Sequence, residues 1–113
     1  PSFRKRFTLS ERRQEYDRIE RHRAHKIPVV VECGSSSTPQ IDKEKFLLPL
    51  DLTIAQFAFV IRRRIALDAG MGLFLLVNNK LCTASSTMSE LYVNNRSEDG
   101  FMYVTYTVEN TFG

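Results

Sequence analysis

The chain has 113 residues, of which 42% are hydrophobic and 26% are charged, and its formal net charge is +3. This length is typical of one domain, and the composition excludes a disordered tail because it is apolar enough to bury a core. The longest unbroken apolar runs, residues 57–61 and 73–77, are five residues long. A membrane-spanning helix needs about 20. Two cysteines, Cys33 and Cys82, are too few for a disulfide framework and predict free thiols in the cytoplasm.

The positive charge is concentrated at the N-terminus. Residues 1–26 contain nine Lys and Arg and four Asp and Glu, a net charge of +5, whereas the remaining 87 residues have a net charge of −2. This asymmetry indicates an added interaction element rather than a uniformly basic nucleic-acid binder. We expect a helical extension over residues 1–26 that packs on a core domain of residues 27–113, in a single compact unit.

The first helical segment runs from about residue 9 to residue 23. Thr8 and Glu11 have the spacing of a capping box, in which both side chains accept hydrogen bonds from backbone amides at the helix start. The apolar face of this helix is narrow and consists mainly of Leu9, Tyr16 and Ile19. Such a helix packs loosely or leaves surface for a partner.

The rest of the chain alternates between strands and helices. Strands are predicted at residues 27–32, 46–49, 73–77 and 101–108, and helices at residues 53–65 and 88–93. Thr53 and Gln56 have the spacing of a second capping box. Pro28 is tolerable because a missing donor near the start or edge of a strand costs little. The order predicts an α+β fold with a four-stranded mixed sheet and a crossover helix, compatible with a ubiquitin-like β-grasp.

The helix over residues 53–65 has more apolar surface than one sheet face requires. Its core stripe, at 100° per residue, consists of Ile54, Ala58, Ile61 and Ile65. A second stripe beside it consists of Phe57, Val60 and Arg64. Two interpretations remain open: the second stripe widens the core, or it forms the wall of an open hydrophobic pocket with a basic rim. Phe59 fits neither stripe.

Residues suited to catalysis do not converge in the sequence. His22, His25 and Cys33 lack a fourth partner at the spacing of a metal site. Neither Cys33 nor Cys82 has a neighbouring base that would activate its thiol, and the five glycines form no phosphate loop. We therefore expect no enzymatic activity, metal or cofactor. The N-terminal aromatic residues form no stacking platform, which disfavours nucleic acid as a partner.

Eight segments, which follow one another in order along nearly the whole chain from about Glu11, suggest a family. They are residues 27–32, 41–49, 51–57, 61–65, 77–79, 87–88, 99–106 and 109–113. Together they resemble the autophagy-related protein 8 family, the ubiquitin-like modifiers of the GABARAP type. The resemblance implies a β-grasp fold with two N-terminal helices, the first within residues 2–6.

The resemblance also implies a route of conjugation through Gly113. E1-like and E2-like enzymes would activate this glycine and link it to phosphatidylethanolamine, which would move the protein, a monomer until then, from the cytoplasm to the autophagosome membrane. A processing cysteine protease would trim residues beyond Gly113 and later release the lipidated form. A glycine suits this chemistry because, without a side chain, it can enter narrow active sites.

Cargo receptors with acidic aromatic-x-x-aliphatic motifs are the implied peptide partners. By the resemblance, the aromatic pocket is lined by Glu15, Ile19, Pro28, Val30, Lys45, Leu47 and Phe101. The aliphatic pocket is lined by Phe46, Leu48, Pro49, Leu52, Phe57, Val60 and Arg64. The peptide would pair as an extra strand with residues 46–48, and Lys43, Lys45 and Arg64 would favour flanking acids.

Two departures from the family pattern concern Tyr16 and the loop at residues 33–39. Tyr16 stands where the family usually has a small residue, beside the aromatic pocket, which it would narrow. The loop lacks the charged residues that are common there. The alternative function is an unconjugated basic ubiquitin-like adaptor that binds cytoskeleton or nucleic acid through its N-terminal helix.

Overall fold

The structure is a computed structural model that describes residues 2–22, 25–35 and 38–110. The elements in chain order are α1 (Phe3–Arg6), α2 (Leu9–Glu20), β1 (Lys26–Cys33), β2 (Lys45–Pro49), α3 (Ile54–Arg64), β3 (Met71–Val77), β4 (Lys80–Leu81), α4 (Met88–Asn95) and β5 (Met102–Asn110). Within these ranges, no helix has the length and apolar character needed to cross a membrane.

Capping boxes begin the three longer helices. At each start a threonine side chain accepts a hydrogen bond from the backbone three residues later, and a Glu or Gln side chain there accepts one from the threonine amide. These reciprocal bonds satisfy donors that have no partner inside the helix. The predicted boxes at Thr8 and Thr53 are confirmed, and Thr87 adds a third. Helix α2 ends earlier than predicted, at Glu20, where the His22 amide donates to the Ile19 carbonyl in a tighter turn.

The sheet is mixed and has the strand order β2-β1-β5-β3-β4. Among the described residues, β1 and β5 pair in parallel, and β1 with β2, β3 with β4 and β3 with β5 pair antiparallel. The α+β class and the two N-terminal helices are as predicted, but the predicted number of four strands is wrong. The additional strand is β4, which follows the turn at Asn78 and Asn79, whose φ angles are 52° and 63°. A strand of two residues has no hydrophobic periodicity by which the sequence would indicate it.

Each face of the sheet has its own hydrophobic cluster. The larger cluster joins residues of α3 to alternate strand residues, including Val29 and Val31 of β1. On the opposite face, Val30 packs with Phe3, Phe101 and Tyr103, and with Tyr16 and Ile19 of α2. Because successive strand residues point to opposite faces, β1 contributes to both clusters. The sheet therefore lies between α3 on one side and the N-terminal helices on the other.

Charged contacts attach the N-terminal helices to the sheet. Arg12 Nη1 lies 2.6 Å from Oδ2 of Asp99, whose side chain is fully buried and also accepts the hydroxyl hydrogen bond of Tyr103. Burial and the hydrogen bond to Asp99 raise the pKa of Tyr103. Arg4 pairs with Glu32 at 2.9 Å, and Arg6 and Glu44 form another pair. These bonds hold α1 and α2 against the sheet face that carries Phe101.

Candidate peptide-binding site

Strand β2 is an edge of the sheet, and its register with β1 shows which backbone groups face outward. The Val31 amide donates to the Glu44 carbonyl at 2.7 Å. Hydrogen-bonded pairs alternate along an antiparallel ladder, so Phe46 also bonds to β1, whereas Lys45 and Leu47 direct their N–H and C=O groups away from the sheet. An extended peptide can pair with these outward groups.

A cavity of about 310 Å³ lies between α2 and β2. It is lined by Glu15, Arg18, Ile19, Lys43, Lys45, Phe46, Leu47 and Phe101. The structure thus brings together five of the seven residues expected at the aromatic pocket. Arg18 was missed by sequence reasoning, although a signal was present: it follows Glu15 by three residues and therefore shares its helix face with Ile19.

The other two expected residues, Pro28 and Val30, lie in the sheet beneath this cavity. Val30 is fully buried in the cluster that contains Phe101. Pro28 is buried opposite Leu47, at a position of the ladder that exchanges no hydrogen bonds, and pairing with β5 begins only at Val29. Pro28 therefore costs no ladder bond although β1 is an interior strand.

The charges around the cavity favour an acidic ligand. Glu15 accepts a hydrogen bond from Arg18, and Lys45 Nζ lies 3.4 Å from its carboxylate. The bond from Arg18, followed by the charge of Lys45, lowers the pKa of Glu15 despite partial burial. With Lys43, three cations line the cavity against one acid. An approaching carboxylate therefore meets a net positive potential.

Most residues expected at the aliphatic pocket lie on the face of β2 that packs against α3, although Phe46 also lines the cavity and Pro49 alternates onto the face of Leu47. Phe46, Leu48 and Phe57 belong to the core there, and the Phe46 and Phe57 rings meet edge to face at 5.5 Å. Phe57 is fully buried, which corrects the expectation that it lines an open pocket, since α3 packs directly on β2. Leu52 and Val60 are half-buried at the margin of this core.

Two cations cover the ring of Phe46 at this margin. Lys43 Nζ and the Arg64 guanidinium lie 5.0 Å and 5.5 Å from the ring centroid. Arg64 is exposed and also donates to Asp42 at 3.0 Å. Pro49 is exposed as well. Leu52 and Val60 thus offer a half-buried apolar surface at the expected aliphatic position, and Lys43 and Arg64 form a basic rim beside it.

The sequence and fold match those of known proteins. The model of the family described as autophagy protein Atg8, ubiquitin like, matches residues 11–113. The chain belongs to the Atg8 family. This membership confirms the predicted family and its ubiquitin-like fold, and it identifies the chain as related to modifiers rather than to catalytic proteins.

Individual Atg8 proteins are similar over nearly their full lengths. Autophagy-related protein 8B of Oryza sativa subsp. japonica is 45% identical over 113 residues, covering 99% of this chain and 95% of the relative. Autophagy-related protein 8a of Arabidopsis thaliana is 46% identical over 106 residues, covering 93% and 87%. The crystal structure of Trypanosoma brucei ATG8 superposes with a TM-score of 0.87 at 34% identity, covering 100% of this chain and 98% of that one.

Other candidate chemistry from the sequence is not assembled in the described ranges. No three His, Cys, Asp or Glu side chains of residues 2–22, 25–35 and 38–110 come together as metal ligands. Cys33 and Cys82 are free, and burial raises the pKa of the Cys82 thiol. A raised pKa makes a thiol less nucleophilic at neutral pH.

Proposed function

We propose that this chain is a ubiquitin-like modifier of autophagy, conjugated through Gly113 to phosphatidylethanolamine on autophagosomal membranes. Family membership supports this role, and Gly113 itself lies outside the described residues. The partners are E1-like and E2-like conjugation enzymes and a processing cysteine protease. The unconjugated protein is a cytoplasmic monomer in which residues 1–26 form an extension on the domain of residues 27–113.

We further propose that β2 recruits cargo receptors that carry acidic aromatic-x-x-aliphatic motifs. The observation that supports this is the placement of the two candidate surfaces on opposite faces of one edge strand. In an extended peptide, successive side chains alternate between faces, so residues three positions apart point to opposite sides. A peptide paired with Lys45 and Leu47 thus directs its aromatic side chain to the cavity beside α2, and its aliphatic side chain to Leu52 and Val60.

The alternative adaptor function is less well supported because many N-terminal cations are already engaged. Arg4, Arg6, Arg12 and Arg18 all form ion pairs within the chain. A paired arginine has less charge to offer a phosphate backbone or an acidic filament surface. This favours the modifier over a nucleic-acid or cytoskeleton adaptor.

The spacing of the peptide motif provides the sharpest test of recognition. An acidic aromatic-x-x-aliphatic peptide is compared by calorimetry with an aromatic-x-aliphatic peptide of equal composition, which places both anchors on one face. We expect the second to bind at least about tenfold more weakly, the loss typical of an unmade anchor contact. Equal affinities would show that the two faces of β2 are not used together.

Conjugation is tested by mass spectrometry of the intact protein. The chain is incubated with the matching E1-like and E2-like enzymes and vesicles that contain phosphatidylethanolamine. We expect Gly113→Ala to abolish the thioester and the lipid adduct without changing the thermal melt, and normal lipidation of this variant would refute conjugation through Gly113. Without conjugation, the protein should stay in solution beside the vesicles, because its basic helix lacks a lipid anchor.

A further inference from the structure

Phe101 forms the floor of the aromatic cavity, and its backbone is fixed on both sides. Its side chain lines the cavity although it is only 1% exposed. Its amide donates to Asp99 Oδ1 at 2.9 Å, and its carbonyl accepts from the Ser97 amide at 2.8 Å. Because the backbone is held, the depth of the cavity depends on where the Phe101 ring lies.

Two other aromatic rings confine the ring of Phe101. Phe3 meets it edge to face with centroids 5.5 Å apart, and Tyr16 does the same at 5.9 Å. Tyr16 contacts Phe101 but is not one of the described residues that line the cavity. The edge-to-face contact with Phe101 thus links Tyr16 to the lining of the cavity.

Tyr16 is partly buried, and its ring is closely packed on the side that faces the sheet. A Cβ atom added to Gly100 would come within 2.5 Å of the Tyr16 ring, so this ring lies directly on the backbone of the loop before β5. Arg96 Nη2 donates to the Tyr16 hydroxyl at 3.2 Å, and the Arg96 guanidinium lies 5.2 Å from the ring centroid. Close-packed groups of this kind transmit displacement rather than absorb it.

We infer that Tyr16 is a positioning residue that fixes the depth of the aromatic cavity through Phe101, and that it makes the site select Phe or Tyr over Trp in the peptide. This inference rests on the proposed peptide recognition. An indole is longer than a phenyl ring and would reach further towards the Phe101 ring at the floor. Phe3 and Tyr16, in contact with the Phe101 ring, restrict its displacement.

The test compares two acidic peptides that differ only in Phe or Trp at the aromatic position. Their Kd values are measured for the full chain, for Tyr16→Ala and for the conservative Tyr16→Phe. We expect Tyr16→Ala to raise the affinity for the Trp peptide relative to the Phe peptide by about tenfold, the discrimination typical of a small change in pocket size. Tyr16→Phe retains the ring and should restore the original ratio.

A stability control separates this effect from a general loosening of the fold. Val77→Ala removes methyl groups from the core cluster on the opposite face and should lower Tm with the Trp-to-Phe ratio unchanged. An unchanged ratio in Tyr16→Ala would overturn the inference. If Tyr16→Ala does not fold, Tyr16→Leu keeps more apolar packing against the cluster of Phe101 and is judged by the same ratio. A wild-type chain that binds neither peptide would instead overturn the proposed peptide recognition.

Discussion

Truncation of Leu47 and of Phe57 should have opposite consequences, although both were expected at the peptide-binding site. Leu47 is 41% exposed on the outer side of β2, whereas Phe57 is 0% exposed beneath it. We expect Leu47→Ala to lower peptide affinity with little loss of stability, and Phe57→Ala to do the reverse.

The expected size of the Leu47 effect follows from its exposure. Complete burial of a leucine side chain is worth about 1.5–3 kcal/mol, so covering the exposed 41% with a peptide contributes about 0.6–1.2 kcal/mol. This corresponds to a rise of about three- to eightfold in Kd for Leu47→Ala. Phe57→Ala leaves a cavity in the core and should cost about 3–5 kcal/mol of unfolding free energy.

Calorimetric titration with the acidic aromatic-x-x-aliphatic peptide and denaturant unfolding would be measured on the same preparations. Because Val60 is half-buried, the losses of peptide affinity and of unfolding free energy in Val60→Ala should lie between those of Leu47→Ala and Phe57→Ala. If Leu47→Ala lost about 3 kcal/mol or more of stability, as a buried leucine does, while its Kd stayed unchanged, the assignment of Leu47 to a ligand surface would be wrong.

Two further predictions concern the charges of the site. In stopped-flow measurements, Lys45→Ala should slow association with the acidic peptide, and the effect should be stronger at low salt. Lys80→Ala, on the opposite edge of the sheet, should leave the association rate unchanged. Equal effects of the two variants would contradict a local role of Lys45. The carboxyl titration of Glu15, followed by NMR, should have a midpoint below the ordinary value of 4.5. Because the folded state lowers the pKa of Glu15, its charged carboxylate stabilises the fold fully at pH values above the ordinary pKa. This stabilisation is lost as the pH falls through the lowered pKa of the folded state. Arg18→Met should move the midpoint back up, and an unmoved midpoint would exclude the Arg18 bond as its main cause.

Local signals in the sequence predicted local structure well. The Thr8–Glu11 and Thr53–Gln56 spacings located two helix starts because the bonds involved span only three residues. The third box, Thr87–Glu90, has the same signature. Five residues that line the cavity were named by the resemblance and not by spacing, since the lining combines α2, β2 and Phe101 just before β5.

Features that depend on tertiary packing could not be predicted. The spacing of Phe57 was compatible with a core position or a pocket wall, and its complete burial in the cluster with α3 and the sheet decides for the core. Arg12 and Asp99 are 87 residues apart, so nothing in either local sequence indicates their bond. Tyr16 was expected beside the aromatic pocket, but its edge-to-face contact with Phe101 could not be read from the sequence, in which the two residues are far apart.

The outward edge of β2 also has a consequence for self-association. An unpaired strand edge can bind any extended chain, including the same edge of a second copy, and such pairing leads to aggregation. Here the edge carries Lys45, with Lys43 just before it, and it ends at Pro49, which has no amide hydrogen to donate. Lysine and proline are residues that disfavour pairing between two exposed strand edges. The edge of β2 is therefore protected against pairing with a second copy, although Lys45 and Leu47 can still pair with an extended peptide.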